Sequence, residues 1–181
     1  MNDAFAQSAP LTIESAVRSH AVALSFSKND KDEFLIEGPS QLVSKIEKHF
    51  EVVLLDELTF FSPTGKAGEL FEIPVSATDT ETERIYLVGL GDKSLTSIRL
   101  AGAAVGRKVR GKSIQVLSAC TDGVDELHAF AVSLTLGSYL WNLKTDKELK
   151  YPNFLVATDD QETLDDAVVI AKAICKARDL V

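Results

Sequence analysis

The chain of 181 residues is poor in the residue types that build most recognisable chemistry. It has two cysteines, three histidines, one tryptophan, one methionine and five prolines. Cys120 and Cys175 lack CxxC spacing and sit in apolar runs, so they give no disulfide framework or zinc pair and read as two buried thiols of a reducing compartment. His20, His49 and His128 are far apart and form no HExxH-type ligand spacing. No apolar run approaches the ~20 residues that cross a bilayer. Residues 1–10 are polar, without a basic stretch leading into an apolar core, and read as a frayed tail rather than a secretory signal. A cytoplasmic location is the expectation. Positive charge is also short: 19 Lys and Arg against 27 Asp and Glu give a net charge of −8, which argues against a nucleic-acid or anionic-membrane surface.

What is present is ordinary for one globular domain, with 45% apolar and 25% charged residues. Residues 84–89 form a β-branched and aromatic run, as in a strand buried on both faces. Leu95, Ile98, Ala101, Val105 and Val109 then recur at helical spacing, with Gly111 where a C-terminal cap belongs. Residues 113–117 read as a second strand. Leu127, Phe130, Leu134, Gly137 and Trp141 make a second helical stripe. A third strand at 153–157 precedes a final helix that starts after Asp159-Asp160. Such a β-α-β-α-β-α series folds as a parallel sheet covered by helices.

The first half is less regular. Strands are expected at 21–26, 33–36, 52–55 and 70–75, some antiparallel, with a short helix built on Leu42, Ile46, His49 and Phe50. Residues 62–66 read as a turn and 76–83 as an acidic loop. The expected fold class is three-layer α/β, a mixed, mostly parallel sheet with helices on both faces.

Candidate motifs weigh toward structural explanations. Gly89-Leu90-Gly91-Asp92-Lys93-Ser94 stands where a phosphate loop would, between a strand and a helix. However, Ser94 replaces the third glycine and Asp92 puts negative charge in the way. A tight turn needing glycine is the stronger reading. Gly65-Lys66-Ala67 lacks both the earlier glycine and the following Ser or Thr of a P-loop. Arg107, Lys108, Arg110 and Lys112 cluster at a helix end, where dipole and carbonyl capping explain them. The pairs Asp159-Asp160 and Asp165-Asp166 sit in a helix's first turns for the same reason. No catalytic, cofactor-binding or metal-binding residue is assigned from these patterns.

The final helix has Leu164, Ala167, Ala171, Ile174, Ala177 and Val181 on one stripe and Asp165, Lys172, Lys176 and Asp179 on the other. Nothing caps its end, and Leu180 and Val181 are apolar. The expectation is a chain cut from a longer one.

Taken in order, Gly65-Lys66-Ala67-Gly68-Glu69, then 84–91, then Leu100-Ala101-Gly102-Ala103-Ala104 resemble the N-terminal domain of leucyl (cytosol) aminopeptidases. Leu136-Gly137-Ser138-Tyr139-Leu140-Trp141 with Lys144 resembles that family's Gly-x-Tyr-x-Phe segment, and 177–181 its inter-domain helix. The resemblance implies a macro-domain-like domain at 11–158 and a linker helix at 159–181, truncated before the catalytic domain. It implies a parent that is a hexameric exopeptidase with two divalent metals (zinc, manganese or magnesium), whose bridging water attacks the scissile carbonyl. The family's Asn-Thr-Asp-Ala-Glu-Gly-Arg segment is absent, so no catalytic, cofactor or metal residue carries over and the chain alone should be inactive. Its implied partners are its own catalytic domain and further copies, with no membrane. Two other functions stay open: a stand-alone module binding ADP-ribose or a related nucleotide, and, less favoured, nucleic-acid contact through 107–112.

Overall fold

A computed structural model describes residues 6–10, 12–121, 123–140 and 150–180. Its elements run β1 (Ala6–Ala9), α1 (Ile13–Val17), β2 (Ala21–Lys28), β3 (Phe34–Glu37), α2 (Ser40–Phe50), α3 (Leu54–Phe60), β4 (Leu70–Pro74), β5 (Arg84–Gly89), α4 (Leu95–Val109), β6 (Gln115–Ala119), α5 (Val124–Ser138), β7 (Asn153–Ala157) and α6 (Gln161–Asp179). One mixed sheet has the order β1-β7-β6-β2-β5-β4, with β3 added to β2. The strands from β1 to β5 in that order pair in parallel. β4 and β3 pair antiparallel, with β5 and β2.

The period of two along each strand sorts side chains to the two faces. On β2, Ala21 and Ala23 join a core with α4, α5 and α6, while Val22, Leu24 and Phe26 join a core with α1, α2 and α3. β5 repeats the division, Tyr86 and Val88 against Ile85 and Leu87. A strand buried on both faces explains the near-continuous apolar runs in the sequence. The three-layer, mostly parallel α/β architecture is therefore the observed one.

Helices α4 and α5 approach at backbone distance through Gly102, Gly106 and Gly137. A Cβ on Gly106 would lie 2.2 Å from the Leu134 carbonyl oxygen, and one on Gly137 would lie 2.6 Å from that of Ala103.

Three local expectations need correction. Within the expected tail at 1–10, Ala6–Ala9 is strand β1, parallel to β7 at the sheet edge, with Ala6 and Ala9 buried. Small residues gave no apolar signal there, and residues 1–5 lie outside the described set. The expected strand at 52–55 is instead the start of α3. Leu54 and Leu58, four apart, are both fully buried, Asp56 and Glu57 occupy the first turn, and Glu47 of α2 accepts a bond from the Leu54 amide. On α6, Cys175 is buried and Ala177 exposed, because the helical stripe continues from Ala171 by four residues rather than six. Helix α1, capped by Thr12, was not anticipated at all. The second strand starts at Gln115, two residues later than expected. Trp141, Lys144 and Val181 lie outside the described residues.

Candidate functional site

Two glycine motifs that sequence alone kept apart meet in space. The loop carrying Gly65-Lys66-Ala67-Gly68 lies on the turn after β5. Gly68 N donates to Gly89 O at 2.9 Å, and Gly89 N donates to Glu69 O at 2.8 Å. A Cβ on Gly89 would sit 2.3 Å from the Lys66 carbonyl oxygen, and one on Gly91, where φ is +59°, would sit 3.0 Å from the Ala67 Cβ. The Glu69 carboxylate closes the loop by accepting bonds from the amides of Thr64 and Gly65. Both motifs are glycine-bearing because two backbones touch, not because a phosphate must be cradled.

Two cavities open at the carboxyl ends of the parallel strands, the place where open α/β sheets bind ligands. One of about 390 Å³ is lined in part by Thr121, Gly123, Thr158, Asp159 and Asp160. The other, of about 220 Å³, shares Thr121 and includes Glu37, Lys93, Cys120 and Glu126. The helix N-termini around this rim would attract an anion, but the chain's own carboxylates already fill them. Glu126 accepts from the Gly123 amide at 3.0 Å ahead of α5, and Asp160 from the Thr163 amide at 3.0 Å in α6. Asp92 accepts from Ser97 Oγ at 2.6 Å and from the Ser94 amide at 3.0 Å before α4. Those bonds, from the Ser97 hydroxyl first and Ser94 next, hold the Asp92 pKa down to about 2.

Lys93 and Ser27 both bond Glu37 at the smaller cavity. Partial burial works to raise the Glu37 pKa, but the hydrogen bonds from Lys93 and Ser27 outweigh it and leave the carboxyl below its usual range. Burial pushes the Cys120 thiol up to about 12, so it is a packed core group donating toward Ala23 O and not a thiolate nucleophile. A rim whose dipoles are answered by fixed carboxylates is a poor place for a pyrophosphate.

The remaining candidates disperse. The Gln115 amide donates to His20 Nδ1, and His49 packs edge-on against Phe50. Among the described residues no group of three or more His, Cys, Asp or Glu side chains is placed to hold a metal ion, so the donor set of a two-metal centre does not fit them. The basic run at 107–112 divides. Lys108 pairs with Glu72 at 2.6 Å on the β4 side, whereas Arg110 turns to α5 and donates Nε and Nη2 to Gly137 O at 3.0 and 2.7 Å. What sequence spacing hid is a different cluster: Arg99 and Arg178 join Arg107 and Arg110 along one open groove. Only the i, i+8 placement of Arg99 and Arg107 on α4 signals it in the sequence.

The model of the cytosol aminopeptidase family, N-terminal domain, matches residues 15–147. A probable cytosol aminopeptidase of Nocardia farcinica (strain IFM 10152) is 31% identical over 142 residues, covering 71% of this chain and 28% of that protein. Among solved structures, a tomato leucine aminopeptidase mutant superposes with a TM-score of 0.65 at 17% identity, covering 97% of this chain and 36% of that one. The bottromycin maturation enzyme BotP in complex with Mn superposes with a TM-score of 0.62 at 19% identity, covering 90% and 32%. At those identities the two structures establish the fold alone. The chain spans 28% of the curated relative's length and 36% and 32% of the two solved chains. With a family model over most of the chain and a curated relative that agrees with it, this chain belongs to the cytosol aminopeptidase family, as its N-terminal domain.

Proposed function

We propose that these 181 residues are the non-catalytic part of a two-metal aminopeptidase, acting in oligomer assembly and in shaping access to an active site carried by a catalytic domain. The observation that carries this reading is the match to the family's N-terminal domain over residues 15–147. It is supported by the sequence, which holds no counterpart of the family's metal-binding segment. In this reading residues 11–158 are the domain proper and α6 is the helix leading to the catalytic half. The domain works in the cytoplasm and holds none of the parent's metals.

The test has two arms. The chain alone, incubated with leucine p-nitroanilide and Mn²⁺ or Zn²⁺, should release no nitroaniline, and metal-dependent turnover would overturn the non-catalytic reading. Fused ahead of the catalytic portion of the Nocardia relative, it should restore an active oligomer by light scattering; an active monomer would overturn the assembly role. The ADP-ribose reading finds no favouring feature at the rim, where carboxylates already occupy the helix N-termini. Calorimetry with millimolar ADP-ribose should show no binding heat.

A further inference from the structure

Four of the chain's six arginines, Arg99, Arg107, Arg110 and Arg178, line one open groove of about 370 Å³ over α4, the end of α5 and the end of α6. Among the described residues no Asp or Glu lines it, in a protein with eight more acids than bases. Two of the four are held in place. Arg110 is fixed by its two bonds to Gly137 O, and Arg178 lies over the Tyr139 ring, 5.6 Å from its centroid.

Arg99 and Arg107 have no hydrogen-bond or ion-pair partner among the described residues. Residues four away from them are Leu95 and Ala103 on α4 and Gly111 just beyond it, so no carboxylate at that spacing answers either one. The helix dipole favours Arg107 in the last turn, but Arg99 sits in the first half of α4, where that dipole gives a cation no support. The groove wall between the guanidinium groups is apolar, with Leu100 48% exposed and Leu136 half-buried.

We propose that this groove docks a carboxylate-bearing amphipathic segment of another protein. Charge complementarity carries the choice of occupant. All four cations are arginines, whose planar fork pairs bidentately with carboxylate, and their apolar surroundings suit a segment that also presents aliphatic side chains. A polyphosphate strand is the weaker fit, because the net charge of −8 repels it at long range and the groove wall is aliphatic. Arg99 and Arg107 are eight residues apart, about 12 Å along a helix axis. The matching partner is thus a helix with acids about two turns apart and leucines between them.

The probe is a fluorescein-labelled 16-residue Ala/Leu helix bearing two Glu residues eight positions apart, read by anisotropy against the full chain. The same peptide with Gln for Glu and a labelled 16-nucleotide single strand serve as comparisons. The Glu peptide should bind, and the Gln peptide should bind about tenfold more weakly, as expected for loss of charge-assisted pairs. The R99E/R107E variant should lose a similar factor while staying folded, its melting temperature within about 4 °C of wild type because only the helix-dipole preference at Arg107 is lost; R99K/R107K should recover part of the binding. Absence of peptide binding, equal binding of the Glu and Gln peptides, or an unaffected R99E/R107E variant would overturn the proposal. So would tighter binding of the oligonucleotide, which would make the groove a nucleic-acid site. Self-association that disappears in R99E/R107E would overturn it in favour of a second copy.

Discussion

Gly106→Ala decides whether the α4–α5 contact governs stability as the geometry requires. On an isolated helix the change would help by about 1 kcal/mol, because alanine loses less backbone entropy. Here the new Cβ would stand 2.2 Å from Leu134 O, 2.9 Å from Ser138 N and 3.0 Å from the Gly137 carbonyl carbon. All three are backbone atoms, so no side chain can swing aside. Restoring an ordinary carbon–oxygen contact of about 3.3 Å needs the helices to part by about 1 Å. A gap of that size forfeits a quarter to a half of each dispersion contact along the seam. Overpacking of this kind costs about 3 kcal/mol at its upper end. Set against the propensity gain of about 1 kcal/mol, the net loss is about 2 kcal/mol, or a drop of about 4–8 °C in melting temperature for a chain of this size.

Thermal and urea unfolding followed by circular dichroism would measure that loss. Gly102→Ala should behave alike, since its Cβ would meet Phe130 O at 2.6 Å and Ser133 Oγ at 2.3 Å. The double variant should cost less than the sum, because helices already parted for one methyl admit the next. An unchanged or raised melting temperature for Gly106→Ala, or strict additivity with Gly102→Ala, would refute the reasoning.

Gly89→Ala should push Lys66 off the β5 turn, and limited trypsin digestion should show faster cleavage after Lys66 than in wild type; identical digestion would mean the two motifs are not in contact. Asp92 has a lowered pKa, so its stabilising effect is present above the unfolded carboxyl range and is lost as pH falls toward about 2. The melting-temperature difference between wild type and Asp92→Asn should therefore be constant above about pH 5 and close toward zero near pH 2, and a gap that stays constant to the acid end would contradict the capping role. Cys120 should not react with a disulfide reagent in the native state at pH 8, because its thiol is buried and pushed up to about 12; rapid native labelling at that residue would show the crevice to be open to its floor.

How much of this was legible in the sequence follows from what each signal depends on. The β5-α4-β6-α5-β7-α6 half was legible because local periodicity and burial agree there: α4 repeats every three to four residues, and β5 is apolar along its whole length. The first half misled where a local pattern has two physical solutions. Residues 52–55 read as a strand until Leu58, one turn beyond Leu54, and the Glu47 cap on the Leu54 amide favour a helix. β1 was illegible for another reason. Ala6 and Ala9 carry almost no apolar signal, and only the edge of β7 gives those residues partners. The glycines mark the boundary most sharply. Sequence shows that Gly89 and Gly91 flank a turn, but the Lys66 carbonyl that excludes a side chain at Gly89 is 23 residues away in the chain.

The arginine groove lies beyond that boundary except for the i, i+8 spacing of Arg99 and Arg107. In sequence, Arg107 and Arg110 group with Lys108 and Lys112 and read as helix-end capping. In space, Glu72 neutralises Lys108 and withdraws it, while Arg99 and Arg178 take its place. Capping accounts for cations that stand at helix ends, which covers Arg107, Arg110 and Arg178. It does not cover Arg99, which stands before the middle of α4 without a described counter-charge. The acidic partner proposed for the groove would supply that counter-charge.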